Sequence, residues 1–261
     1  MELQEIAQRY RRDGFVHLPG RLSGAELARL RAAVESAPER DPGDNPLSLG
    51  TMRFASNLFY GSEAIQAFLA SEPVVELVST LLGPDTWVRW DQAVWKGPGA
   101  PKFPLHQDNG YTGLEAEHLQ LWVALTSAGF DEGGLVVAPG AHHQPLEHHW
   151  VGGHVEVDIT DRLQQVDAEA GDVIIFSSYL PHATAPNVTD RTRLAYVAEF
   201  LPIGVPDAGV RRPWLHLTAD GEVIAHFEDT VDAGLAPAPE PPPATPASPS
   251  RRRWRFGRRS G

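Results

Sequence analysis

The second half of the chain is built from short runs of β-branched and aromatic residues. From Thr86 onward, Gly, Pro or Asp separate the runs TWVRWDQAVW, LQLWVALT, GLVVAP, GDVIIF and TRLAYVAEFL. Short strands with regular punctuation are typical of a β-sandwich or barrel, whereas an α/β sheet would alternate its strands with long helices. The pattern predicts a mainly β fold, and the chain lacks the G-x-G-x-x-G and P-loop motifs of nucleotide-binding folds.

Helices are predicted at the start of the chain and just before the β region. The first covers residues 3–12, breaks at Gly14 and leads into the strand-like text FVHLPG. Ser23 and Glu26 have the spacing of a capping box at the start of a second helix. A third helix is expected over Glu72–Leu82, where a proline lies in the first turn and Gly-Pro follows the last.

The length and the ends of the chain define its expected domains. A chain of 261 residues with 42% hydrophobic content can bury one sizeable core, which we place in residues 1–232. Residues 233–250 are rich in Pro and Ala and predict a disordered linker. Residues 251–261 form an Arg-rich basic tail, which either contacts an acidic partner or a membrane surface or is an unstructured appendage.

Residue counts exclude several classes of chemistry. The chain has no cysteine, so any metal must be held by His and carboxylate side chains. Positions 1–250 carry 16 basic and 34 acidic residues, and this net charge of -18 should repel nucleic acid and anionic membranes. Because no apolar run approaches about 20 residues and the first residues lack the apolar stretch of a signal peptide, we expect a cytoplasmic protein.

A metal site is indicated by the text PLHQDNGY, which contains His106 and Asp108. Residues two apart on a strand project from the same face, so with one further histidine the pair could form the 2-His-1-carboxylate triad that binds Fe(II). The spacing is weak evidence alone, since His154 and His226 also precede an acidic residue by two positions. His182 follows His106 by 76 residues, room for about six strand-turn units of ~8–12 residues each, and this pairing fits best.

The text GDVIIFSSYLPHATAPNVTDRTRLAYVAEF makes the assignment more specific. Together with upstream motifs it resembles the phytanoyl-CoA dioxygenase family over roughly residues 5–203. The matching positions are His106-Gln107-Asp108, Pro139-Gly140-Ala141-His142, Gly171-Asp172, His182, Asn187 and Arg193. Ala141 departs from the family pattern, in which Ser is usual. The resemblance implies a double-stranded β-helix, a cupin-like jelly roll with N-terminal helices, and the cofactors Fe(II) and 2-oxoglutarate.

The resemblance also implies roles for individual residues. His106, Asp108 and His182 would hold the iron, and Arg193 would bind the far carboxylate of 2-oxoglutarate through its planar guanidinium. Arg191 lies two positions earlier, and spacing alone does not exclude it. The remaining candidates for cosubstrate contacts are Thr184, Trp122 and Gln92.

The implied reaction couples decarboxylation of 2-oxoglutarate to succinate and CO2 with hydroxylation of an unactivated C–H bond by O2. Asp108 favours hydroxylation, because related halogenases have a small residue at the carboxylate position; desaturation, epoxidation and ring formation stay open. The acidic body favours a small metabolite or natural-product intermediate as substrate. It disfavours an acyl-CoA, unless Lys96 and Lys102 create a basic mouth.

The same ligands, and the histidine and aromatic residues near them, have other interpretations. A cupin-like binding protein could use the same ligands for a redox-inert ion, but it would need no arginine clamp; a zinc hydrolase would want a general base beside the metal. A histidine-rich loop is interpreted as a substrate lid or solvated surface rather than a second metal site, and it contains His142, His143, His148 and His149. Aromatic residues around the motif could line an apolar pocket, although core packing is their usual role.

Overall fold

A computed structural model describes residues 1–37, 50–159, 162–205, 207, 209–210 and 213–228. The predicted domain end at 232, the linker 233–250 and the basic tail 251–261 lie outside the described residues. No single helix in the described ranges is long and apolar enough to cross a membrane. Two consecutive helices, Glu63–Leu69 and Glu72–Leu82, meet that test only when taken together across a 52° bend.

Strands outnumber helices in the described residues. The helices are α1 (Leu3–Asp13), α2 (Gly24–Ser36), α3 (Glu63–Leu69), α4 (Glu72–Leu82) and α5 (Asn109–Thr112), with a 3-10 turn at Leu58–Gly61. The strands are β1 (Phe15–Leu18), β2 (Met52–Ser56), β3 (Thr86–Lys96), β4 (Phe103–His106), β5 (Leu119–Ala124), β6 (Leu135–Val137), β7 (His149–Val151), β8 (His154–Glu156), β9 (Gln164–Val166), β10 (Val173–Ser177), β11 (His182–Thr184), β12 (Arg193–Pro202), β13 (Trp214–Ala219) and β14 (Glu222–Glu228).

Two antiparallel sheets form the body of the molecule. The major sheet has the order β1-β10-β5-β12-β3-β13-β14, with β2 also paired to β3, and the minor sheet has the order β4-β11-β6-β9. Strands β7 and β8 form a separate hairpin. The antiparallel sheets pack as a jelly roll with helices at its N-terminal side, so the predicted fold class is confirmed.

The N-terminal helices follow the local signals in the sequence. Helix α1 ends at Gly14, whose φ of +78° is in the left-handed region; a Cβ there would lie 2.5 Å from the ring of His142. Helix α2 begins with the predicted capping box, in which the Ser23 hydroxyl accepts from the Glu26 backbone N–H and the Glu26 carboxylate accepts from the Ser23 N–H. Helix α4 has the predicted bounds.

Each central strand of the major sheet is buried on both faces. On β12, Leu194 and Tyr196 pack in the cluster that includes the helices, while Ala195 and Val197 pack in the cluster between the two sheets. This alternation follows from the period of two in a strand. Odd-numbered residues of β12 therefore face the interior of the roll, and the strand begins with Arg193 on that face.

Candidate active site

Three potential metal ligands meet at one end of the minor sheet. His106 is the last residue of β4, His182 is the first residue of β11, and Asp108 directly precedes α5. One ligand atom from each lies within 4.8 Å of the other two. Asp108 Oδ1 is 3.4 Å from His106 Nε2 and 3.9 Å from His182 Nε2. The cluster predicted from the sequence is present, although Asp108 is not on the strand.

The expectation that one strand face presents both His106 and Asp108 was wrong. Strand β4 ends at His106, and the backbone of Asp108 has helical dihedrals of -64° and -33°. The chain turns toward α5 immediately after the strand, and the amide of Asn109 bonds to the carbonyl of Ser178. It is this turn, rather than the pleat of a strand, that directs the carboxylate toward the two imidazoles.

A hydrogen bond between Nδ1 and a backbone carbonyl orients each of the two histidine rings. His106 Nδ1 lies 2.9 Å from the carbonyl oxygen of Pro104, and His182 Nδ1 lies 3.0 Å from that of Leu180. A carbonyl only accepts hydrogen bonds, so each ring, when neutral, carries its proton on Nδ1 and has its lone pair on Nε2, the atom nearest Asp108. Histidine ligands of metals are commonly oriented by such a backbone contact.

The electrostatics of the cluster favour a neutral His182 and an ionised Asp108. Burial, and next the adjacent His106, lower the pKa of His182 to about 4. Burial by itself would raise the pKa of Asp108, but the neighbouring His182 and His106 lower it to about 2. These protonation states leave the Asp108 carboxylate and the His182 Nε2 lone pair available for a cation.

The other His-x-acid motifs are not part of this cluster. His154 packs its ring 5.2 Å from that of Phe103, and His226 lies on β14 with Nε2 3.5 Å from Glu228 Oε1. Across the described residues, the group of His and carboxylate side chains with converging ligand atoms consists of His106, Asp108 and His182. The sequence argument that preferred His106 over His154 and His226 is consistent with this geometry.

The histidine-rich loop is divided between two places. His142 and His143 stack at 4.4 Å between ring centroids, and His142 packs against Gly14 at the end of α1. His148 Nε2 contacts Gln107 Oε1 at 3.1 Å. The buried Gln107 also accepts from the backbone of Leu146 and donates to the carbonyls of Gln144 and Tyr179, so the residue between His106 and Asp108 holds the loop beside the cluster.

A cavity of about 140 Å³ opens beside the cluster between the two sheets. All four predicted cosubstrate contacts line it, namely Gln92, Trp122, Thr184 and Arg193. Gln92 and Trp122 flank the same residue of β12, Val197, in the sheet register. The fold thus brings residues from four strands, distant in the sequence, to one interior surface.

The two candidate arginines have different environments. Arg191 is 73% exposed and its Nη2 pairs with Glu132 Oε1 at 2.6 Å, whereas Arg193 is 1% exposed and lines the cavity. Arg193 Nη2 donates to the carbonyl of Gly133, and its Nε and Nη1 have no partner in the described part of the chain. Burial lowers the pKa of Arg193 to about 10, so it is still cationic at neutral pH and has two N–H donors available.

Lys96 does not contribute to the basic mouth that the sequence left open for Lys96 and Lys102. It is fully buried, next to Arg193 in the register of β3 and β12, and its Nζ donates to Thr184 Oγ1 at 2.6 Å. Burial, and next the charge of Arg193, lower the pKa of Lys96 to about 6. Its even-numbered position on β3, in phase with Gln92, is the sequence signal that could have placed it in the interior.

The fold and the converging ligands define a jelly-roll non-haem iron enzyme. The sequence model of the phytanoyl-CoA dioxygenase family matches residues 10–195, most of the chain. The protein therefore belongs to the phytanoyl-CoA dioxygenase family and is an Fe(II)- and 2-oxoglutarate-dependent dioxygenase, as the sequence motifs predicted.

Individual relatives are distant. A methylphosphonate hydroxylase of Gimesia maris is 26% identical over 196 residues, which cover 71% of this chain and 75% of the relative. A 2-aminoethylphosphonate dioxygenase of an uncultured bacterium is 26% identical over 74% of this chain and 79% of its own length. The solved structure of SnoK, a carbocyclase dependent on non-haem iron and α-ketoglutarate from nogalamycin biosynthesis, shares the fold. Its TM-score is 0.66 at 22% identity, covering 77% of this chain and 84% of SnoK.

Proposed function

We propose that His106, Asp108 and His182 are the iron ligands of this dioxygenase. The donor set fits Fe(II), because two neutral imidazoles and one carboxylate on one side of an ion leave the other side available for small molecules. The observation that carries the proposal is the convergence of the three ligand atoms within 4.8 Å at the wall of a cavity. The Nδ1 contacts to Pro104 and Leu180 would keep the imidazoles oriented when the ion binds.

Arg193 is the proposed anchor for the far carboxylate of 2-oxoglutarate. A buried guanidinium with two N–H groups directed at no described acceptor needs an anionic partner, and a carboxylate matches its planar geometry. The hydroxyl of Thr184, which accepts from Lys96, would then donate its own proton to the same carboxylate. Trp122 and Gln92 would form the adjoining wall, with the Arg193 guanidinium 5.8 Å from the Trp122 ring centroid.

When bound, iron and 2-oxoglutarate would supply the oxidising power: 2-oxoglutarate is converted to succinate and CO2, one oxygen atom of O2 enters succinate and the other hydroxylates the substrate. The protein holds the ligands on strands and turns, excludes water from a cavity between two packed sheets and positions the substrate beside the ion. We infer that the outcome is hydroxylation of a C–H bond, since Asp108 keeps a carboxylate at the iron position.

The proposed substrate is a small metabolite or natural-product intermediate. The acidic body of the chain and the small cavity favour this over an acyl-CoA, and two relatives are named for small phosphonates. The buried Lys96 does not offer the basic mouth that a polyanionic acyl-CoA would need. We further propose a cytoplasmic enzyme whose catalytic domain is residues 1–232. It would be followed by a disordered linker and a basic tail for an acidic partner or membrane surface.

Anaerobic addition of Fe(II) and 2-oxoglutarate tests the proposed site. Chelation of iron by the cosubstrate should give a weak visible charge-transfer band, and Asp108→Ala should abolish it. A protein that binds a redox-inert ion, or a zinc hydrolase, would give no band. Screening small metabolites for stimulated succinate release would then identify the substrate class, and stimulation by CoA thioesters alone would contradict the charge argument.

A further inference from the structure

Three polar residues form one row across the interior face of the major sheet. In the sheet register Glu199 of β12 is paired with Trp90 of β3 on one side and with Gln120 of β5 on the other. All three line the cavity beside the proposed iron ligands. Arg193 and Lys96 form a similar pair six residues along β12, roughly 20 Å away at about 3.3 Å per residue. The cavity therefore has two polar ends.

The row of Glu199 lies at the end of the cavity near Asp108. His118 Nε2 is 3.9 Å from Glu199 Oε2, and both Glu199 and Asp108 act electrostatically on the same His118 ring. The end near Arg193 is taken up by the proposed cosubstrate site. The row of Trp90, Glu199 and Gln120, six residues along β12 from Arg193, is therefore left for the prime substrate.

Among the described residues, carboxylates outnumber cationic side chains at this end of the cavity. The guanidinium of Arg89 binds Glu199 through Nη1 and Asp207 through Nε, and all three side chains are at most 12% exposed. One cation thus faces two carboxylates within the described part of the chain. His118 does not supply a second cation, because burial lowers its pKa below the ordinary value. Of the two carboxylates, Glu199 is the one that lines the cavity.

The same row presents two donors with no acceptor. Trp90 Nε1 and Gln120 Nε2 are buried, and neither has a hydrogen-bond partner among the residues that the structure describes. A buried donor without a partner destabilises a fold, so such donors in a cavity wall are expected to meet an acceptor on a ligand. The row therefore offers a ligand the Glu199 carboxylate, flanked by the N–H donors of Trp90 and Gln120.

We propose that Trp90, Glu199 and Gln120 form the prime-substrate subsite, and that the substrate carries a protonated amine close to an oxygen acceptor. The amine binds the Glu199 carboxylate and supplies the missing positive charge, while the oxygen accepts from Trp90 and Gln120. The inference rests on the proposed function, since it places the reacting carbon next to the iron. The proposed substrate therefore belongs to the class of small amino acids and amino alcohols.

Binding of matched probes tests this subsite without turnover. The probes are amino acids and amino alcohols of two to six carbons, each paired with its N-acetyl derivative, which keeps the oxygen and loses the charge. Ligand-observed NMR on the anaerobic protein loaded with Fe(II) and 2-oxoglutarate should show at least one free amine binding at least about tenfold more tightly than its N-acetyl partner. Equal binding of both members, or binding of none, would overturn the proposal.

Two variants make the assignment specific. Glu199→Gln keeps an oxygen for Arg89 and should remove the preference for the amine. Glu132→Gln is the matched control, because Glu132 is 13% exposed and paired with Arg191 but does not line the cavity, and it should keep the preference. Retention of the preference in Glu199→Gln would contradict the assignment. The Fe(II)–2-oxoglutarate band should persist in both variants, whereas its absence in the wild-type protein would instead refute the proposed cofactor site.

Discussion

His106 and His182 are direct cross-strand partners, although 76 residues separate them in the sequence. Strands β5 to β10 lie between β4 and β11 along the chain, yet the two imidazole centroids are 4.2 Å apart. The pairing of two strands, rather than a flexible loop, sets the separation of the two rings. Ligands held on strands keep their geometry better than ligands on loops, which suits a site that must bind an ion and two small molecules in fixed positions.

Loss of any one of the three proposed ligands should prevent iron binding. We expect Asp108→Ala and His182→Ala to weaken Fe(II) binding by at least about 100-fold, since even indirect supports of a metal site contribute 10- to 100-fold. Metal content after anaerobic reconstitution and desalting is the measurement. His226→Ala is the control, because this side chain is 59% exposed on β14; an equal loss in that variant would argue against the site.

The two arginines should differ sharply in their effect on 2-oxoglutarate. Arg193→Gln removes the buried guanidinium and is expected to weaken 2-oxoglutarate binding by about 10- to 100-fold, the range for a charged hydrogen bond. Arg191→Gln removes a largely exposed ion pair and should change the affinity less than about threefold. Titration of the charge-transfer band measures both, and the reverse order would transfer the role to Arg191.

Affinity for 2-oxoglutarate should fall as the pH rises above about 6. Lys96 has a pKa of about 6 in the free protein, and a bound carboxylate nearby would raise that pKa, so binding takes up a proton above pH 6. Uptake of one proton limits the fall in 2-oxoglutarate affinity to about tenfold per pH unit. Lys96→Met should flatten the profile between pH 6 and 8, whereas the exposed Lys102→Met should follow the wild-type protein.

Asp91 should make the folded protein less stable as the pH rises from about 4 to about 7. Its carboxylate is fully buried and accepts from the Phe59 N–H and the Tyr196 hydroxyl, and burial raises its pKa to about 7. The unfolded chain releases this proton near pH 4 and the folded chain near pH 7, so stability falls as pH rises through this window. Across this change of about three pKa units the full contribution is on the order of 4 kcal/mol, at about 1.4 kcal/mol per unit.

Urea unfolding at pH 5 and pH 8 measures this contribution. Asp91→Asn keeps the shape of the side chain without an ionisable proton, and it should be more stable relative to wild type at pH 8 than at pH 5. Asp190 is exposed, so Asp190→Asn serves as the control and should change the free energy of unfolding equally at pH 5 and pH 8. A constant difference between Asp91→Asn and wild type at the two pH values would show that Asp91 is ionised in the folded protein throughout.

Residues with strong local signals were predictable from the sequence. The capping box of Ser23 and Glu26 and the bounds of α4 depend on neighbours within a few positions, and the structure has both. The β runs were recognisable because Gly, Pro and Asp separate them. The faces of these strands were not predictable, since helices cover one side and the minor sheet covers the other. All six residues of β5 are buried, so no alternation of apolar and polar residues distinguishes its two faces.

The sequence motifs determined the class of this protein through their resemblance to the phytanoyl-CoA dioxygenase family: an H-x-D pair and a distal His followed eleven positions later by Arg, in a chain without cysteine. Only the tertiary structure decided which of the two arginines reaches the interior and that Lys96 donates to Thr184. It also decided that a turn after β4 directs Asp108 toward the two imidazoles, and that three polar residues form one row, namely Trp90, Glu199 and Gln120. The physical reason is that these relationships depend on strand register between distant segments, and register is set by packing of the whole roll rather than by any local stretch of chain.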